Sequence, residues 1–204
     1  MFTDRPDLIL PLEPGDIFKL SWDTKGPIAG PFSSPIESEH HIPKPARRFM
    51  ARVVDRLEDY LPFDFQFKKD NRKAHVRIHI ADAPIQIEGI ELKPWERIVG
   101  IVVPQGIRHT VVLADAPYWT SDSKRTAVHE LGHALGLSHP GTGGADPDYN
   151  SRDTIMSYNI IDNNWWFRPA DIERLQEIWT KPKVDPVTGA YVTKRKDVDW
   201  AEFV

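Results

Sequence analysis

The segment that most constrains this chain runs from His129 to His139 and reads His-Glu-Leu-Gly-His-Ala-Leu-Gly-Leu-Ser-His. Residues four positions apart lie on one face of an α-helix, so His129 and His133 can offer two imidazole nitrogens to one metal ion. Gly136 can adopt the left-handed conformation that ends a helix, and the turn would return His139 to the same ion. The spacing therefore predicts a helix, a sharp turn and a metal site with three histidine ligands.

The residue types in this segment also indicate what the metal does. Three neutral imidazoles with one open coordination position are typical of catalytic Zn²⁺, because structural zinc is normally enclosed by four protein ligands. Glu130 follows the first histidine, so its carboxylate can reach a water molecule in the open position without binding the metal. We therefore expect Glu130 to act as the general base of a hydrolytic reaction.

The pattern His-Glu-x-x-His-x-x-Gly-x-x-His resembles that of the metzincin metallopeptidases, which also carry a methionine turn downstream. The stretch from Asp153 to Tyr158, Asp-Thr-Ile-Met-Ser-Tyr, is similar to that turn. The resemblance implies that Met156 lies beneath the metal as a hydrophobic base and that Tyr158 helps to hold the oxyanion. The alternatives are that Met156 only fills the core and that Tyr158 only packs. The histidines could likewise be ordinary residues, but their spacing, the glycine and the methionine turn agree.

Within the metzincins, the chain resembles the serralysins more than the astacins. Both groups share the order Met-x-Tyr, but His-Pro-Gly at 139–141 and the stretch from Pro169 to Gln176 favour the serralysins. The close similarity covers about Thr126 to Thr180. It implies a zinc-dependent endopeptidase that acts on extended protein or peptide substrates and is secreted or extracellular. Two features depart from that expectation: the chain has no Gly-Gly-x-Gly-x-Asp calcium repeats, and no N-terminal signal peptide is visible.

Two other functions stay open from the sequence. A chain that kept only the zinc site would be a metal-binding structural or interaction module without turnover. Glu130 argues against this module, because metal binding alone needs no base at that position. A hydrolase could also be dedicated to a cell-wall peptide or to a single partner protein, in which case generic peptides would not be cleaved.

Composition limits the classes of partner. The chain has 204 residues, which suits one domain with appended tails, and it has no cysteine, which excludes disulfides and inhibition by a propeptide thiolate. Its 30 acidic and 26 basic residues leave a net charge of -4, so there is no large positive field for nucleic acid. No apolar run is long enough to cross a bilayer. We expect no nucleic-acid partner and no membrane span, and the sequence does not indicate an oligomeric state.

The hydrophobic pattern divides the chain into three parts: an N-terminal extension with a first strand (1–43), a catalytic domain (44–180) and a C-terminal tail (181–204). Besides the helix that carries the histidines, it predicts helices at 44–61 and 169–179, and strands at 16–22, 63–68, 74–80, 98–103 and 110–113. The fold expected from these elements and the resemblance is α+β and metzincin-like. It has a twisted, mostly parallel sheet with an antiparallel edge strand, two main helices above the cleft, and the methionine turn and C-terminal helix below.

The resemblance assigns substrate binding to two segments. An antiparallel edge strand binds extended substrate by adding it to the sheet, and our candidate strand runs from Ile98 to Val103, with Ile85 to Leu92 as the less favoured choice. The substrate-binding residues predicted on that strand are Ile101, Val102 and Val103. Trp165 and Trp166 would form a wall of the pocket for the residue after the cleaved bond, or would simply pack the lower part of the domain.

Other groups of metal-binding residue types give weaker patterns. His40 and His41 are adjacent in a polar loop, where solvated histidines are the simpler interpretation. His75 and His79 lie about 13 Å apart along a strand, too far to share one ion. The acidic loop at 141–153 could hold Ca²⁺, but its spacing fits no EF-hand, so an acidic turn is the favoured interpretation.

Overall fold

A computed structural model gives the structure of this protein for residues 10, 12, 14–23, 28, 32, 42–81, 85–91, 97–105, 107–114, 119–179, 183–184 and 191–192. In this part of the chain the fold is α+β, with a mixed five-stranded sheet and three helices. The sheet strands are β1 (Ile17–Trp22), β2 (Asp64–Lys68), β3 (Val76–Ala81), β4 (Gly100–Pro104) and β5 (His109–Ala114). The α-helices are α1 (Lys44–Leu57), α2 (Ser121–Ala134) and α3 (Pro169–Trp179), and a short 3₁₀ helix covers Asn71–Lys73. Two further strands of two residues each, β6 (Lys183–Val184) and β7 (Tyr191–Val192), pair antiparallel.

The strands of the sheet follow the order β2-β1-β3-β5-β4. The pairs β2 with β1, β1 with β3, and β3 with β5 are parallel, whereas β4 runs antiparallel to β5. Gly100 lies opposite Leu113, and Pro104 lies opposite His109. The sheet is thus mostly parallel with one antiparallel edge strand, an arrangement compatible with the one that the resemblance implies.

Most strand boundaries differ from the predicted ones by one or two residues, and the largest difference is at the end of α1. Helix α1 ends at Leu57 rather than at residue 61, because the chain tightens into a final turn in which the amide of Tyr60 donates to the carbonyl of Leu57 (3.0 Å) before Pro62. Leu61 is nevertheless buried, as its place in the hydrophobic pattern predicts. Strands β3 and β4 each begin two residues later than expected, at Val76 and Gly100.

Each face of the sheet packs against its own hydrophobic cluster. Successive strand residues point to opposite faces, so Val111 and Leu113 of β5 join the main core with the helices, while Val112 joins a second cluster on the far face. Helix α1 contributes six buried residues to the main core: Ala46, Phe49, Met50, Val53, Val54 and Leu57. The far-face cluster is smaller and contains Ile28, Phe32, Ala81, Ile85, Val103 and Val112.

Helix α3 is anchored to the end of α2 by one buried aromatic residue. The indole nitrogen of Trp179 donates to the backbone carbonyl of Leu135 over 2.9 Å. The same indole packs edge-on against Phe63, with ring centroids 4.8 Å apart. These contacts hold the segment between α2 and α3 beside the histidine-bearing helix.

Candidate metal centre

The end of α2 is set by a glycine with a positive backbone angle. Gly136 has a φ of 99°, and its amide donates to the carbonyl of His133 over 2.9 Å. The next amide, of Leu137, donates to the carbonyl of Gly132, also over 2.9 Å. These two hydrogen bonds form a Schellman motif, which requires the left-handed conformation that Gly136 adopts. The motif ends α2 and turns the chain back toward it. The turn predicted at Gly136 is therefore present.

The turn brings the three predicted ligands together. The Nε2 atom of His139 lies 3.3 Å from that of His129 and 3.2 Å from that of His133. One donor atom from each histidine lies within 4.8 Å of the others. A tetrahedral zinc ion with bonds of 2.0 to 2.1 Å keeps its nitrogen ligands about 3.3 Å apart. The three histidines are close enough to bind one metal ion, and their spacing is compatible with zinc.

Hydrogen bonds orient two of the imidazoles toward the centre of this cluster. His129 Nδ1 lies 2.9 Å from the carbonyl oxygen of Ile155, and His133 Nδ1 lies 2.8 Å from that of Leu137. A carbonyl oxygen only accepts, so each Nδ1 carries the proton and each Nε2 presents a lone pair. Lone pairs that face one another repel unless a cation lies between them, so this donor set fits a metal ion.

The protonation state of His129 also suits a residue that binds a metal ion. The residue is buried, and this burial lowers its pKa to about 4. Loss of hydration disfavours the charged imidazolium, so the ring is neutral at neutral pH. A neutral imidazole is the form that binds metals.

Glu130 lies beside the ligands and is buried under the start of the edge strand. Burial raises the pKa of its carboxyl to about 8, and a divalent cation at the histidines would act in the opposite direction. Gly100 lies so near that a Cβ atom there would be 2.7 Å from both Cγ and Oε1 of Glu130, and equally close to a methyl of Thr126. Only glycine leaves room for the carboxylate at this point, which the sequence pattern did not reveal.

Met156 is fully buried beneath α2. Its sulfur would lie 2.9 Å from a Cβ atom placed on Gly132, so the absence of a side chain at Gly132 lets the thioether pack against the helix next to His133. The preceding residue, Ile155, supplies the carbonyl that orients His129. The methionine turn thus contacts the histidine helix through both a side chain and a backbone group.

Tyr158 lies on the solvent side of the histidines, with 58% of its surface exposed. Its ring stacks near His129 at 5.6 Å and contacts His139 edge-on at 4.7 Å between centroids. The ring passes over Gly144, where a Cβ atom would come within 2.6 Å of it. Partial burial, and secondarily the nearby charge of Glu130, raise the pKa of the phenol, so it keeps its proton at neutral pH.

A buried carboxylate, absent from the sequence prediction, fixes the methionine turn. Asp171 accepts hydrogen bonds from the hydroxyl of Thr154 (2.5 Å), the amide of Ile155 (2.9 Å) and the amide of Arg168 (2.7 Å). Burial raises its pKa to about 6. An acidic residue that reaches back to the amide before a helix is a capping pattern, and this signal could have identified Asp171 from the sequence.

A second acidic residue, Asp162, connects α2 to the segment before α3. Its carboxylate oxygens accept from the guanidinium of Arg125 (3.1 Å), that of Arg168 (2.9 Å) and the hydroxyl of Ser151 (3.0 Å). Arg125 lies 37 positions away from Asp162 along the chain. A contact between residues so far apart has no local sequence signal, and only the fold brings them together.

An open cleft of about 410 Å³ lies beside Glu130 and His129. The segment 97–100, which ends at the first residue of β4, lines it together with four residues of the stretch 155–160. Its lining consists of Arg97, Ile98, Val99, Gly100, Arg125, Thr126, His129, Glu130, Ile155, Ser157, Tyr158 and Ile160. Two of the apolar side chains in this lining, Val99 and Ile160, are exposed.

The strand residues predicted to bind substrate lie next to this cleft but do not line it. The side chains of Ile101 and Val103 pack in the far-face cluster, while Val102 packs against the main core. Once β4 pairs with β5, its side chains alternate between the two faces of the sheet, and of the strand's residues Gly100 alone, at its start, is among those that line the cleft. The other lining residues on this side, Arg97, Ile98 and Val99, come from the segment before the strand.

The two tryptophans predicted near the cleft pack against α1. The ring of Trp165 contacts Phe49 edge-on, with centroids 4.6 Å apart. Trp166 is buried, and the guanidinium of Arg56 lies 4.4 Å from its ring centroid. Neither side chain is among the described residues that line the cleft. Both tryptophans thus pack against α1, and their role as a pocket wall stays a prediction.

The strand histidines do not join a metal cluster. His79 Nε2 lies 3.2 Å from a carboxylate oxygen of Asp23, and both residues are buried on the far face of the sheet. His75 Nδ1 accepts from the backbone amide of Lys19 over 3.0 Å. Within the described ranges, His129, His133 and His139 form the one group of three or more residues with metal-binding geometry. His40 and His41 lie outside the described residues.

The acidic loop after His139 uses its carboxylates to close turns. Asp146 accepts from the amide (2.8 Å) and hydroxyl (3.0 Å) of Thr142 and from the amide of Asp148 (3.0 Å). Asp153 accepts from the amide of Asn150 over 2.9 Å. These contacts agree with the acidic-turn interpretation of the loop.

Comparison with known proteins adds no family assignment. No family model matches this chain, and no curated protein matches it. The part of the chain described by the structure contains no helix that combines the length and the apolar character needed to cross a membrane. The geometry of the histidines, Glu130 and the cleft is therefore the basis for any functional conclusion.

Proposed function

We propose that this protein is a zinc-dependent endopeptidase of the metzincin type, similar to the serralysin catalytic domain, that cleaves extended polypeptides. One observation carries this proposal. Three imidazole nitrogens converge at the spacing of a tetrahedral zinc site, and the buried carboxylate of Glu130 lies beside them at an accessible cleft.

The donor set favours zinc over the other common divalent cations. Calcium and magnesium prefer oxygen ligands, whereas neutral imidazoles suit zinc. A set of three protein ligands leaves a position for water or substrate, as in catalytic zinc sites. When bound there, zinc supplies a Lewis acid that makes water more acidic and polarises a peptide carbonyl.

The protein supplies the proton transfers around that centre. The Glu130 carboxylate is placed to take a proton from the attacking water and to deliver it to the amine that leaves. Only 5% of the surface of Glu130 is exposed, which limits the contact of its carboxylate with bulk water. The phenol of Tyr158 keeps its proton and lies beside His129 and His139, where it can donate to the substrate oxygen as negative charge develops.

The arrangement around the cleft supports an extended polypeptide as substrate. Strand β4 is at the edge of the sheet, and the segment leading into it forms a wall of the cleft beside Glu130. An extended backbone can pair with such an edge, and apolar substrate side chains can contact Val99 and Ile160. The metzincin assignment is further supported by the antiparallel edge strand and by Met156 packed under the histidine helix.

The proposal is tested with purified protein and a mixture of unfolded proteins. The measurements are the zinc content, by elemental mass spectrometry, and the new peptide termini, by peptide mass spectrometry, before and after chelation and zinc re-addition. We expect one zinc per chain, cleavage that stops on chelation and cleavage that returns with zinc. Stoichiometric zinc without cleavage of any polypeptide would contradict the proposal and favour a metal-binding module. Cleavage confined to one protein or to cell-wall peptides would favour a dedicated hydrolase.

A further inference from the structure

The cleft contains a buried arginine that the proposed reaction does not use. Arg125 belongs to α2, four residues before His129, so it lies one helical turn from the metal ligand on the same face. It lines the cleft although only 7% of its surface is exposed. Four residues advance about 6 Å along the helix axis, so the long Arg125 side chain can reach a group bound next to the histidines.

The hydrogen-bonding capacity of Arg125 is only partly satisfied. Its Nη2 atom donates to the backbone oxygen of Asp162 over 2.6 Å and to the carboxylate of that residue over 3.1 Å. Its Nη1 atom is buried and has no hydrogen-bond partner among the described residues. A buried charged donor without a partner is unfavourable, so an acceptor brought into the cleft by a bound molecule would be favoured here.

The surrounding charges also favour an anion. The carboxylate that Arg125 contacts is shared with a second guanidinium, that of Arg168. Among the residues that line the cleft, Arg97 and Arg125 are basic, and Glu130, beside the histidines, is the one acidic residue. The remaining lining includes the apolar side chains Ile98, Val99, Ile155 and Ile160, which reduce the screening of charge by water.

We infer that Arg125 is a specificity-determining residue that selects a carboxylate side chain on one of the two substrate residues flanking the cleaved bond. The inference rests on the proposed function, because it takes the histidine centre as the place of cleavage. An extended substrate advances about 3.3 Å per residue, so a side chain beside the bond can span the distance to Arg125. The substrate class is then polypeptide with Asp or Glu at that position.

The first test uses the unmodified protein and matched peptides. Each pair carries Asp or Asn, or Glu or Gln, at one of the two flanking positions in an otherwise constant sequence. We expect a kcat/KM that is roughly 10-fold to 100-fold higher for the acidic member at one position, as a charge-assisted hydrogen bond provides. Equal kcat/KM for acid and amide at both positions would overturn the inference while leaving the endopeptidase proposal intact.

The second test separates Arg125 from the other cations. Arg125→Gln should abolish the preference, whereas Arg168→Gln should keep it, because Arg168 contacts the same Asp162 but does not line the cleft. The preference is the ratio of kcat/KM for two peptides measured with the same variant. A general loss of folded protein lowers both values equally and leaves the ratio unchanged. If Arg125→Gln does not fold, Arg125→Lys should show a reduced preference, since it keeps the charge but loses the planar donor fork. A preference lost in Arg97→Gln and kept in Arg125→Gln would contradict the assignment.

A binding measurement makes the inference independent of turnover. Fluorescence anisotropy would give the affinity of zinc-loaded Glu130→Gln for labelled peptides of each pair. We expect tighter binding of the acidic peptide, and loss of that difference when Arg125→Gln is added. Equal Kd values for the acidic and amide peptides would overturn the inference. A clear difference in Kd without any cleavage by the unmodified protein would instead count against the proposed function.

Discussion

The backbone carbonyl of Ile155 accepts a hydrogen bond from Nδ1 of His129 over 2.9 Å, which connects the methionine turn directly to the first histidine of the cluster. The amide of the same Ile155 donates to the buried carboxylate of Asp171 over 2.9 Å. A continuous chain of hydrogen bonds therefore runs from the N-terminus of α3 through the turn to the histidine. Asp171 does not reach the cluster itself, but it positions a group that does.

Replacement of Asp171 should therefore weaken metal binding. In Asp171→Asn one carboxylate oxygen becomes an NH2 group, which donates instead of accepting. At least one of the three groups that now donate to the carboxylate then loses its acceptor, so the turn and the carbonyl of Ile155 should shift. We expect zinc affinity to fall by about 10-fold to 100-fold, measured by competition with a chromogenic chelator. Asp153→Asn is the matched control, because that carboxylate only closes a local turn. Equal zinc affinity in both variants would contradict this chain of contacts.

The stability effect of Asp171 should depend on pH. Burial raises its pKa from 3.8 to about 6, so the folded protein holds this proton more tightly than the unfolded chain. The stabilisation from that proton is fully present below pH 3.8 and is lost as the pH rises through 6. The unfolding free energy of the metal-free protein, relative to Asp171→Asn, should fall by about 2 kcal/mol from pH 4 to pH 7. Urea unfolding of both proteins at several pH values measures this difference in unfolding free energy. A difference that does not change with pH would contradict the raised pKa of Asp171.

A methyl group at Gly100 should disturb the base without removing the metal. The Cβ atom of Gly100→Ala would lie 2.7 Å from Glu130 Oε1, so either the carboxylate or the strand must move. Small displacements of a catalytic group reduce rates strongly, and we expect kcat to fall by about 100-fold. Zinc content should stay at one per chain, since Gly100 contacts no ligand in the described contacts. Unchanged kcat would show that Glu130 is not held by this contact.

Tyr158→Phe distinguishes a chemical role of the phenol from packing. The ring contacts with His129 and His139 are preserved in phenylalanine, and only the hydroxyl is lost. If the hydroxyl donates to the developing oxyanion, kcat should fall by about 100-fold or more while KM changes little. Steady-state kinetics with a quenched peptide measure both constants. An unaltered kcat would favour the packing alternative.

The sequence predicted the parts of this site that depend on local rules. Helical periodicity placed His129 and His133 on one face, and the need for a left-handed residue placed the turn at Gly136. The strands and their mixed arrangement followed from alternating hydrophobicity and the resemblance to a known layout. The histidine helix and its turn depend on residues within about ten positions of one another, where geometry follows directly from spacing. The arrangement of the strands joins distant residues, and it was expected from the resemblance alone.

The parts that could not be predicted depend on contacts between distant segments. The fit of Glu130 under Gly100 joins residues 30 positions apart in the sequence, and the pair of Arg125 with Asp162 joins residues 37 positions apart. The role of Trp165 depends on whether α1 lies against it, and Phe49 of that helix does. Composition cannot separate a tryptophan at a cleft from one in a core, because both positions favour large apolar rings.

The central claim is that Glu130 moves protons beside a zinc ion held by three histidines. Its most direct test is Glu130→Gln, compared with Glu177→Gln, an exposed site of α3 that contacts Arg174. For each variant, elemental analysis gives the zinc content and a quenched peptide gives kcat/KM. The account predicts one zinc per chain in both variants, with kcat/KM reduced by several orders of magnitude in Glu130→Gln alone. Near-normal kcat/KM in zinc-loaded Glu130→Gln would contradict it.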